Sequence, residues 1–145
     1  MTLSTKAQYA LEALVELLLH ATDGQDSLPA IAERRGLSEP YLEQIFATLR
    51  RAGIVKSVRG AQGGFRLAAD PAGITAGDVI RALEGPLCAV KCVGDETLCA
   101  MVEHCPTRPL WVRVSRSIEH AADNITLQQL AQAAQRSSNE PEYFI

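Results

Sequence analysis

The sequence predicts a mainly α-helical fold that carries one short antiparallel strand pair, and three observations support this class. Apolar residues recur at helical spacing over most of the 145-residue chain. Two short segments near the middle alternate apolar and polar residues around the glycine-rich stretch "GAQGG". A long amphipathic segment follows "CPTRP" in the C-terminal third. Together they predict a winged helix-turn-helix with a two-stranded wing and a long C-terminal dimerisation helix.

Two helices are predicted at the N-terminal end. Residues 5–20 place apolar side chains such as Leu14 on one face. The stretch "ATDGQDS" then interrupts the pattern with Gly and Asp. Residues 28–35 form the second predicted helix, with Ser27 at its N-cap and Gly36 at its C-terminal exit.

A third helix is predicted over 39–52, with Ser38 as its N-cap. Its buried stripe comprises Leu42, Ile45, Phe46 and Leu49. Two short helices joined by "GLS" are typical of a helix-turn-helix, although plain helical packing gives the same pattern.

The segment directly after these helices favours the helix-turn-helix interpretation. "IVKSVRG" and "GFRLA" have the alternation of half-buried strands, and "GAQGG" joins them as a hairpin tip. Arg59, Gln62 and Arg66 flank the glycines, and arginines favour the negative potential of a narrow minor groove. A strand pair in this position is a wing, so we predict DNA contact. The alternative is a surface hairpin with solvated arginines.

The distribution of charge supports the same prediction. The net charge is −3, which by itself does not suggest a nucleic-acid binder. However, no acidic residue occurs between Gln44 and Ala69, where the basic residues are Arg50, Arg51, Lys56, Arg59 and Arg66. A local basic face on an acidic protein is compatible with phosphate contacts.

Three further helices are predicted in the second half of the chain. Thr75 and Asp78 form a capping box for the fourth helix. Residues 109–122 form a long helix whose apolar stripe is Leu110, Val114, Ile118 and Ala121. A second copy of the chain is the simplest partner for that stripe, and packing against the first helix is the alternative. A last short helix is predicted over 126–135.

Several classes of protein are disfavoured. No apolar run reaches the roughly 20 residues of a bilayer span. The first 20 residues are too polar for a signal peptide, so we expect a cytoplasmic protein without a membrane partner. No phosphate loop, zincin motif or nucleophile elbow is present, and no histidine is placed as the base for a catalytic cysteine. We therefore expect a protein that is not an enzyme.

All four cysteines lie in one stretch of 18 residues, "CAVKCVGDETLCAMVEHC". In the cytosol such a cluster is more typical of metal or redox chemistry than of structural disulfides. Iron–sulfur clusters take four ligands, most often thiolates. Zinc knuckles usually have paired C-x₂₋₄-C spacing, which only Cys88 and Cys92 approach. A thiol–disulfide switch would also account for the thiols, and reduced cysteines without a role would give the same sequence.

Three motifs resemble the IscR-type winged-helix transcription regulators. They are "LSTKAQYAL" at the start, "SEPYLEQIFATLRRAGIVKSVRGAQGGFRL" in the middle and "ITAGDVIRALEGP" after it. The resemblance covers about residues 1–130. It implies a homodimeric transcription regulator, expected to be a repressor, that binds a pseudo-palindromic double-stranded DNA operator. It also implies sensing of iron–sulfur, redox or nitric-oxide status.

The resemblance also implies roles for individual residues. The start of the third helix would face DNA, and Arg59 with the "GAQGG" tip would form the minor-groove wing. With the basic residues, the predicted DNA-binding set is Ser38, Glu39, Tyr41, Glu43, Gln44, Arg50, Arg51, Lys56, Arg59, Gly60, Gln62, Gly63, Gly64 and Arg66. The family's three cluster ligands match Cys92, Cys99 and Cys105, which implies a 2Fe-2S or 4Fe-4S cluster as the cofactor.

The sequence departs from that pattern at the fourth ligand. Arg108 stands where the best-known cluster form has a histidine, and a guanidinium cannot ligate iron. Cys88 is the preferred fourth ligand, and the alternatives are His104 and a bound small molecule or thiol.

A second branch of the family is also similar to this chain. "YLEQ", "ITAGD" and "ALEGP" resemble its cysteine-metabolism repressors, which lack the three cysteines. The alternative function is therefore a cysteine-metabolism repressor controlled by a protein partner or a thiol–disulfide switch. The tail "EPEYFI" is a candidate docking peptide for a cysteine-synthesis enzyme, and a disordered tail is the alternative.

The expected organisation has four parts. They are a winged-helix DNA-binding domain at 1–86, a cysteine-rich cluster-binding loop at 87–106, the dimerisation helix with a short C-terminal helix at 107–136, and a flexible tail at 137–145.

Overall fold

The computed structural model describes residues 3–61 and 63–139 and confirms the mainly α-helical class. In chain order its elements are α1 Thr5–His20, β1 Gln25–Asp26, α2 Leu28–Arg35, α3 Glu39–Arg51, β2 Val55–Val58, β3 Gly64–Leu67, α4 Ala76–Glu84, α5 Lys91–Gly94, α6 Arg108–Asp123 and α7 Leu127–Asn139, with 3₁₀ turns at Pro71–Gly73 and Glu96–Leu98. None of the helices over these residues combines the length and hydropathy that a bilayer span requires.

The predicted caps position the helix-turn-helix. The Ser27 hydroxyl accepts a hydrogen bond from the Ala30 amide at 3.3 Å, and Ser38 accepts one from Tyr41 at 3.3 Å. Both bonds satisfy amides that a helix start leaves without an intrahelical partner. Gly36 ends α2 in the left-handed region, at φ 65°. The helix α3 ends at Arg51, one residue earlier than predicted.

The sheet has three strands rather than the predicted pair. Its order is β1-β3-β2, and all pairings are antiparallel. The additional strand β1 is only two residues long and pairs Asp26 with Phe65. Asp23 and Gly24 make the turn that precedes β1, with φ values of 54° and 81°. Sequence analysis missed β1 because "TDGQDS" contains turn-forming residues rather than an alternating pattern.

One apolar core joins α3 to the sheet. Phe46 on α3 is fully buried, and its ring packs edge-on against Phe65 of β3 with centroids 5.0 Å apart. The predicted stripe of α3 is confirmed, since Leu42, Ile45 and Leu49 are 0% exposed. Because α3 and β3 share this core, the exposed face of α3 and the wing keep a fixed relation to each other.

The two long C-terminal helices pack against earlier helices, α6 against α4 and α7 against α1. The predicted capping box at Thr75 and Asp78 is present, with hydrogen bonds of 2.9 and 3.1 Å. Arg81 of α4 forms an ion pair with Asp123 at the end of α6, at 2.5 Å. A Cβ atom at Gly77 would overlap Asp123, so the glycine permits this approach. The end of α6 is therefore fastened to α4.

The last helix, α7, is longer than the predicted segment 126–135 and packs against α1. Residues 137–139, expected to begin the flexible tail, are its last residues. There the hydroxyls of Ser137 and Ser138 donate to the carbonyls of Ala133 and Ala134. The candidate docking peptide at 140–145 lies outside the described residues.

Candidate functional site

The first two turns of α3 present most of their predicted DNA-facing side chains to solvent. Glu39, Glu43 and Gln44 are exposed, and Ser38 is exposed while its hydroxyl caps the helix. Tyr41 differs, because its half-buried ring packs edge-on against Tyr9 of α1 with centroids 6.1 Å apart. Tyr41 therefore holds the start of α3 on α1 in addition to any contact with DNA.

The five cations of the basic segment run from Arg50, near the end of α3, to Arg66 in β3. All five of its cations are exposed, and none forms an ion pair within the described residues. By contrast, Arg34, Arg35, Arg81 and Arg108 are each paired with a carboxylate. The group of five comprises Arg50, Arg51, Lys56, Arg59 and Arg66. These charges remain available to an external anion.

Two of these cations face each other across the sheet. Lys56 of β2 and Arg66 of β3 are register partners, and both side chains are exposed. Like charges directly opposite each other on two strands are destabilising. A phosphate group between them would relieve that repulsion, which makes this pair suited to the backbone of a nucleic acid.

The backbone of the wing itself requires glycine at several positions. Gly60 turns the chain at φ 116°, which disfavours other residues. A Cβ at Gly64 would overlap the carbonyl oxygen of Asp26, so Gly64 lets β1 pair with β3. A Cβ at Gly63 would overlap the carbonyl oxygen of Val58 across the hairpin. These glycines build the wing, and Gln62 lies outside the described residues.

The four thiols lie between α4 and α6, in a segment with more order than the predicted loop. All four cysteines are half-buried and free, and the segment contains α5 and the 3₁₀ turn Glu96–Leu98. Cys88 lies beside Gly94, where an added Cβ would come within 2.9 Å of its sulfur. Cys92 belongs to α5, Cys99 follows the 3₁₀ turn and Cys105 precedes α6.

Arg108, the first residue of α6, contacts this segment at two points. Its Nη2 donates to Oε1 of Glu96 at 2.7 Å, and its Nη1 donates to the backbone carbonyl of Cys92 at 3.2 Å. Hydrogen bonds from the hydroxyl and backbone of Thr107, with a smaller effect of the Arg108 charge, lower the pKa of the Cys105 thiol. At a given pH this favours the thiolate of Cys105.

The arrangement does not fit a preformed cluster site. Across residues 3–61 and 63–139, no three His, Cys, Asp or Glu side chains converge as a metal-binding group. The guanidinium of Arg108 occupies the space beside Cys92 and Glu96 and offers only donors. The predicted ligand set of Cys88, Cys92, Cys99 and Cys105 therefore stays a sequence-based prediction, as does the candidate ligand His104.

Sequence analysis missed two contacts that organise the segment. It treated Arg108 only as a non-ligand, and Glu96 was not singled out. Ser115, a buried polar residue of α6, accepts a hydrogen bond from the Ala89 amide at 2.8 Å and donates to the Trp111 carbonyl at 2.7 Å. A serine beside an apolar stripe is a signal that could have identified Ser115, whereas nothing in the sequence pairs Arg108 with Glu96.

The apolar stripe predicted on α6 divides into two parts. Ile118 is half-buried and packs against the small cluster of Ala7, Ile80 and Leu87, so the alternative of packing within the chain holds for it. Leu110, in contrast, is 53% exposed. An open groove of ≈540 Å³ runs along this face, and its lining is Leu110, Arg113, Val114, Ser117, Ile118 and Ala121.

Comparison with known proteins places this geometry in one family. Residues 3–133 match the Rrf2 family, described as iron-dependent transcriptional regulators. The transcriptional regulator CymR of Bacillus subtilis is 44% identical over 131 residues, 90% of each chain. Its solved structure, titled the global cysteine regulator, has a TM-score of 0.77 over 92% of this chain and 98% of that one.

A second group of relatives carries the IscR name. The regulator IscR of Yersinia enterocolitica is 39% identical over 146 residues, covering 97% of this chain and 88% of the relative. The structure of T. potens IscR has a TM-score of 0.78 and 43% identity, covering 99% of this chain and 95% of that one. These relatives are transcriptional regulators and not enzymes, as expected from the sequence. With its helix-turn-helix, wing and match over residues 3–133, the chain belongs to the Rrf2 family of transcriptional regulators.

Proposed function

We propose that this protein is a homodimeric, cytoplasmic repressor that binds a pseudo-palindromic DNA operator through α3 and the wing. We further propose that residues 88–105 are its sensing segment. The first proposal rests on the five exposed cations of the α3–β2–β3 segment, in a chain that belongs to a family of regulators. None of these cations forms an ion pair within the described part of the chain.

Physical chemistry gives each part a separate task. The first two turns of α3 offer the exposed Glu39, Glu43 and Gln44 to base edges in the major groove, where donor and acceptor patterns differ for each base pair. Lys56 and Arg66 suit phosphates, and Arg59 at the wing suits a narrow minor groove. Two copies related by a two-fold axis would present two α3 helices about one DNA turn, ~34 Å, apart.

Arg59→Ala should weaken operator binding by at least about fivefold while leaving the fold and the oligomeric state unchanged, because one minor-groove cation is lost.

Lys56→Ala should reduce the magnitude of the slope of log affinity against log salt concentration by about 0.9, because one phosphate contact is removed. Fluorescence anisotropy with a labelled operator at several salt concentrations measures both quantities.

Arg136→Ala is the matched control for Arg59→Ala, because Arg136 is exposed on α7 and is without an ion pair in the described part of the chain. It should bind the operator as the wild type does. Equal affinities for Arg59→Ala and Arg136→Ala at physiological salt would show that the wing is not a DNA-binding element.

The sensing segment can influence operator binding through α6. The Ala89–Ser115 hydrogen bond joins the segment to the middle of α6, and the Arg81–Asp123 ion pair joins the end of α6 to α4. A change in residues 88–105 therefore acts on the helix proposed as the dimer seam. Since that seam sets the distance between two α3 helices, the change alters operator affinity.

Two candidates for the signal follow from the two groups of relatives. The iron–sulfur candidate is supported by Cys92, Cys99 and Cys105, which match the family's ligand positions, and by the IscR relatives. The thiol candidate, regulation of cysteine metabolism, is supported by Arg108 in the ligand position and by the similarity to CymR. The iron–sulfur candidate requires the segment to rearrange from the arrangement described above.

A visible absorption spectrum of protein purified without oxygen, with iron and sulfide counted, separates these candidates. If a cluster forms, Cys92→Ser, Cys99→Ser and Cys105→Ser should each abolish or strongly diminish the colour, because a thiolate ligand is lost. Cys88→Ser should do the same if Cys88 is the fourth ligand. His104→Ala should bleach the protein only if the histidine has that role.

If the wild type holds no iron after reconstitution, the thiol candidate applies. Mass spectrometry of the oxidised protein should then find a disulfide between two of the four cysteines. Zinc without sulfide would instead identify a structural metal site.

A further inference from the structure

We propose that Arg108 is the positioning residue of the sensing segment, and that its contacts with Glu96 and the Cys92 carbonyl hold α5 on the start of α6. This inference rests on the proposed sensing role of residues 88–105 and assigns the residue that sets the arrangement of that segment.

Few polar contacts connect residues 91–98 to α6 among the described residues. Among the hydrogen bonds and ion pairs of the described residues, the two that join 91–98 to α6 both come from Arg108. Asp95 binds only within the segment, where its carboxylate accepts from the amide and hydroxyl of Thr97. Removing the Arg108 side chain therefore removes both of these polar ties to α6.

The short helix α5 depends on contacts outside itself for its stability. This helix has four residues and lacks a side-chain hydrogen bond at its N-cap, Val90. So short a helix does not persist by itself in water, because nucleation costs more than its few hydrogen bonds return. The Cys92 carbonyl would lack a partner at the end of such a helix, and Arg108 supplies the donor. The conformation of Cys92 thus depends on Arg108.

The charge of Arg108 lies at an unfavourable position in α6. A cation in the first turn of a helix is opposed by the helix dipole, which favours negative charge there. Arg108 is the first residue of α6, and its side chain is only 21% exposed. Glu96 compensates both effects with an ion pair at 2.7 Å. A guanidinium that is largely withdrawn from water at an unfavourable helix end is consistent with a role in holding the segment against α6.

Thiol labelling of the full-length reduced protein tests the proposal. The protein is labelled with N-ethylmaleimide, the reaction is quenched at set times, and mass spectrometry of each cysteine peptide gives the labelling rate of that thiol. Arg108→Gln should raise the labelling rate of Cys92 about fivefold, because local opening exposes the thiol. Glu96→Gln, which removes one of the two contacts, should raise it about twofold by the same opening. The double variant should match Arg108→Gln alone, because Arg108→Gln already removes the contact that Glu96→Gln weakens.

Two further variants make the assignment specific. Glu103→Gln is the matched control, because Glu103 is an exposed carboxylate of the same segment without an ion pair in the part of the chain that is described. It should label as the wild type does. Arg108→Lys keeps the charge but lacks the two-pronged donor, so its Cys92 rate should lie between those of the wild type and Arg108→Gln.

Three results would overturn the assignment. One is a Cys92 rate in Arg108→Gln equal to that of the wild type. Another is a double variant whose increase is the product of the two single increases. The third is a uniform increase at all four cysteines with a lowered unfolding midpoint, which indicates general destabilisation. Labelling needs no DNA, so a wild-type protein that fails to bind any operator would refute the proposed function and leave this result standing.

Discussion

Leu110→Glu should convert the protein from a dimer into a monomer and abolish operator binding. Leu110 is 53% exposed on α6 and lines the open groove of ≈540 Å³. If a second copy covers this groove, two-fold symmetry buries the new carboxylate twice. Each unpaired buried charge costs roughly 3 kcal/mol or more, so the two together cost about 6 kcal/mol and the dimer dissociation constant should rise at least ~10,000-fold. Light scattering at micromolar protein measures the change.

The choice of Leu110 follows from the split stripe of α6. Ile118→Glu, which the sequence pattern suggests equally, would also place a charge against Ala7, Ile80 and Leu87 of the same chain. Its effect on folding would then be confused with its effect on assembly. Leu98→Glu is the matched control, because Leu98 is 63% exposed but is not among the residues that line the groove on α6. A wild-type protein that is already monomeric would refute the proposed homodimer.

Phe46→Ala should destabilise the protein by about 3–5 kcal/mol, since the truncation removes a fully buried ring and leaves a cavity. Phe46 is 0% exposed and forms an edge-on ring pair with Phe65, centroids 5.0 Å apart. Such a pair contributes about 0.5–1.5 kcal/mol beyond its buried area. Guanidinium unfolding followed by circular dichroism measures the loss, at one protomer concentration because dimer formation adds to apparent stability.

Leu98→Ala is the control for this truncation. Leu98 is 63% exposed, so its loss should change the free energy of unfolding by no more than about 0.5 kcal/mol. A Phe46→Ala loss below about 1 kcal/mol would mean that the α3–sheet core relaxes around the cavity. In that case α3 and the wing would not keep the fixed relation on which the proposed operator contacts depend.

Local patterns were sufficient for most of the helices. The bounds of α1 and α2 agree with the predicted ranges, and the caps at Ser27, Ser38 and Thr75 are present. These features depend on residues within about four positions of one another, where apolar spacing and side-chain capping act. The buried stripe of α3 was predictable for the same reason, because it repeats at the helical period.

The family and the basic segment were also readable from the chain itself. The run from Ser38 to Leu67 carries the resemblance that the match over residues 3–133 confirms. The absence of acidic residues between Gln44 and Ala69 can be seen in the sequence. That the five cations are exposed and form no ion pairs among the described residues could be seen only in the structure.

Only the tertiary structure decided which distant side chains meet. The strand β1 can pair with β3 because Gly64 has no side chain that would overlap Asp26. This pairing joins residues that are far apart in the chain. Ile118 faces the core while Leu110 faces solvent, although both belong to one apolar stripe. Cysteine spacing predicts a ligand set, but Arg108 reaches Glu96 and the Cys92 carbonyl instead. Periodicity and capping act over one or two helical turns, whereas these contacts depend on how whole elements pack, which local pattern does not encode.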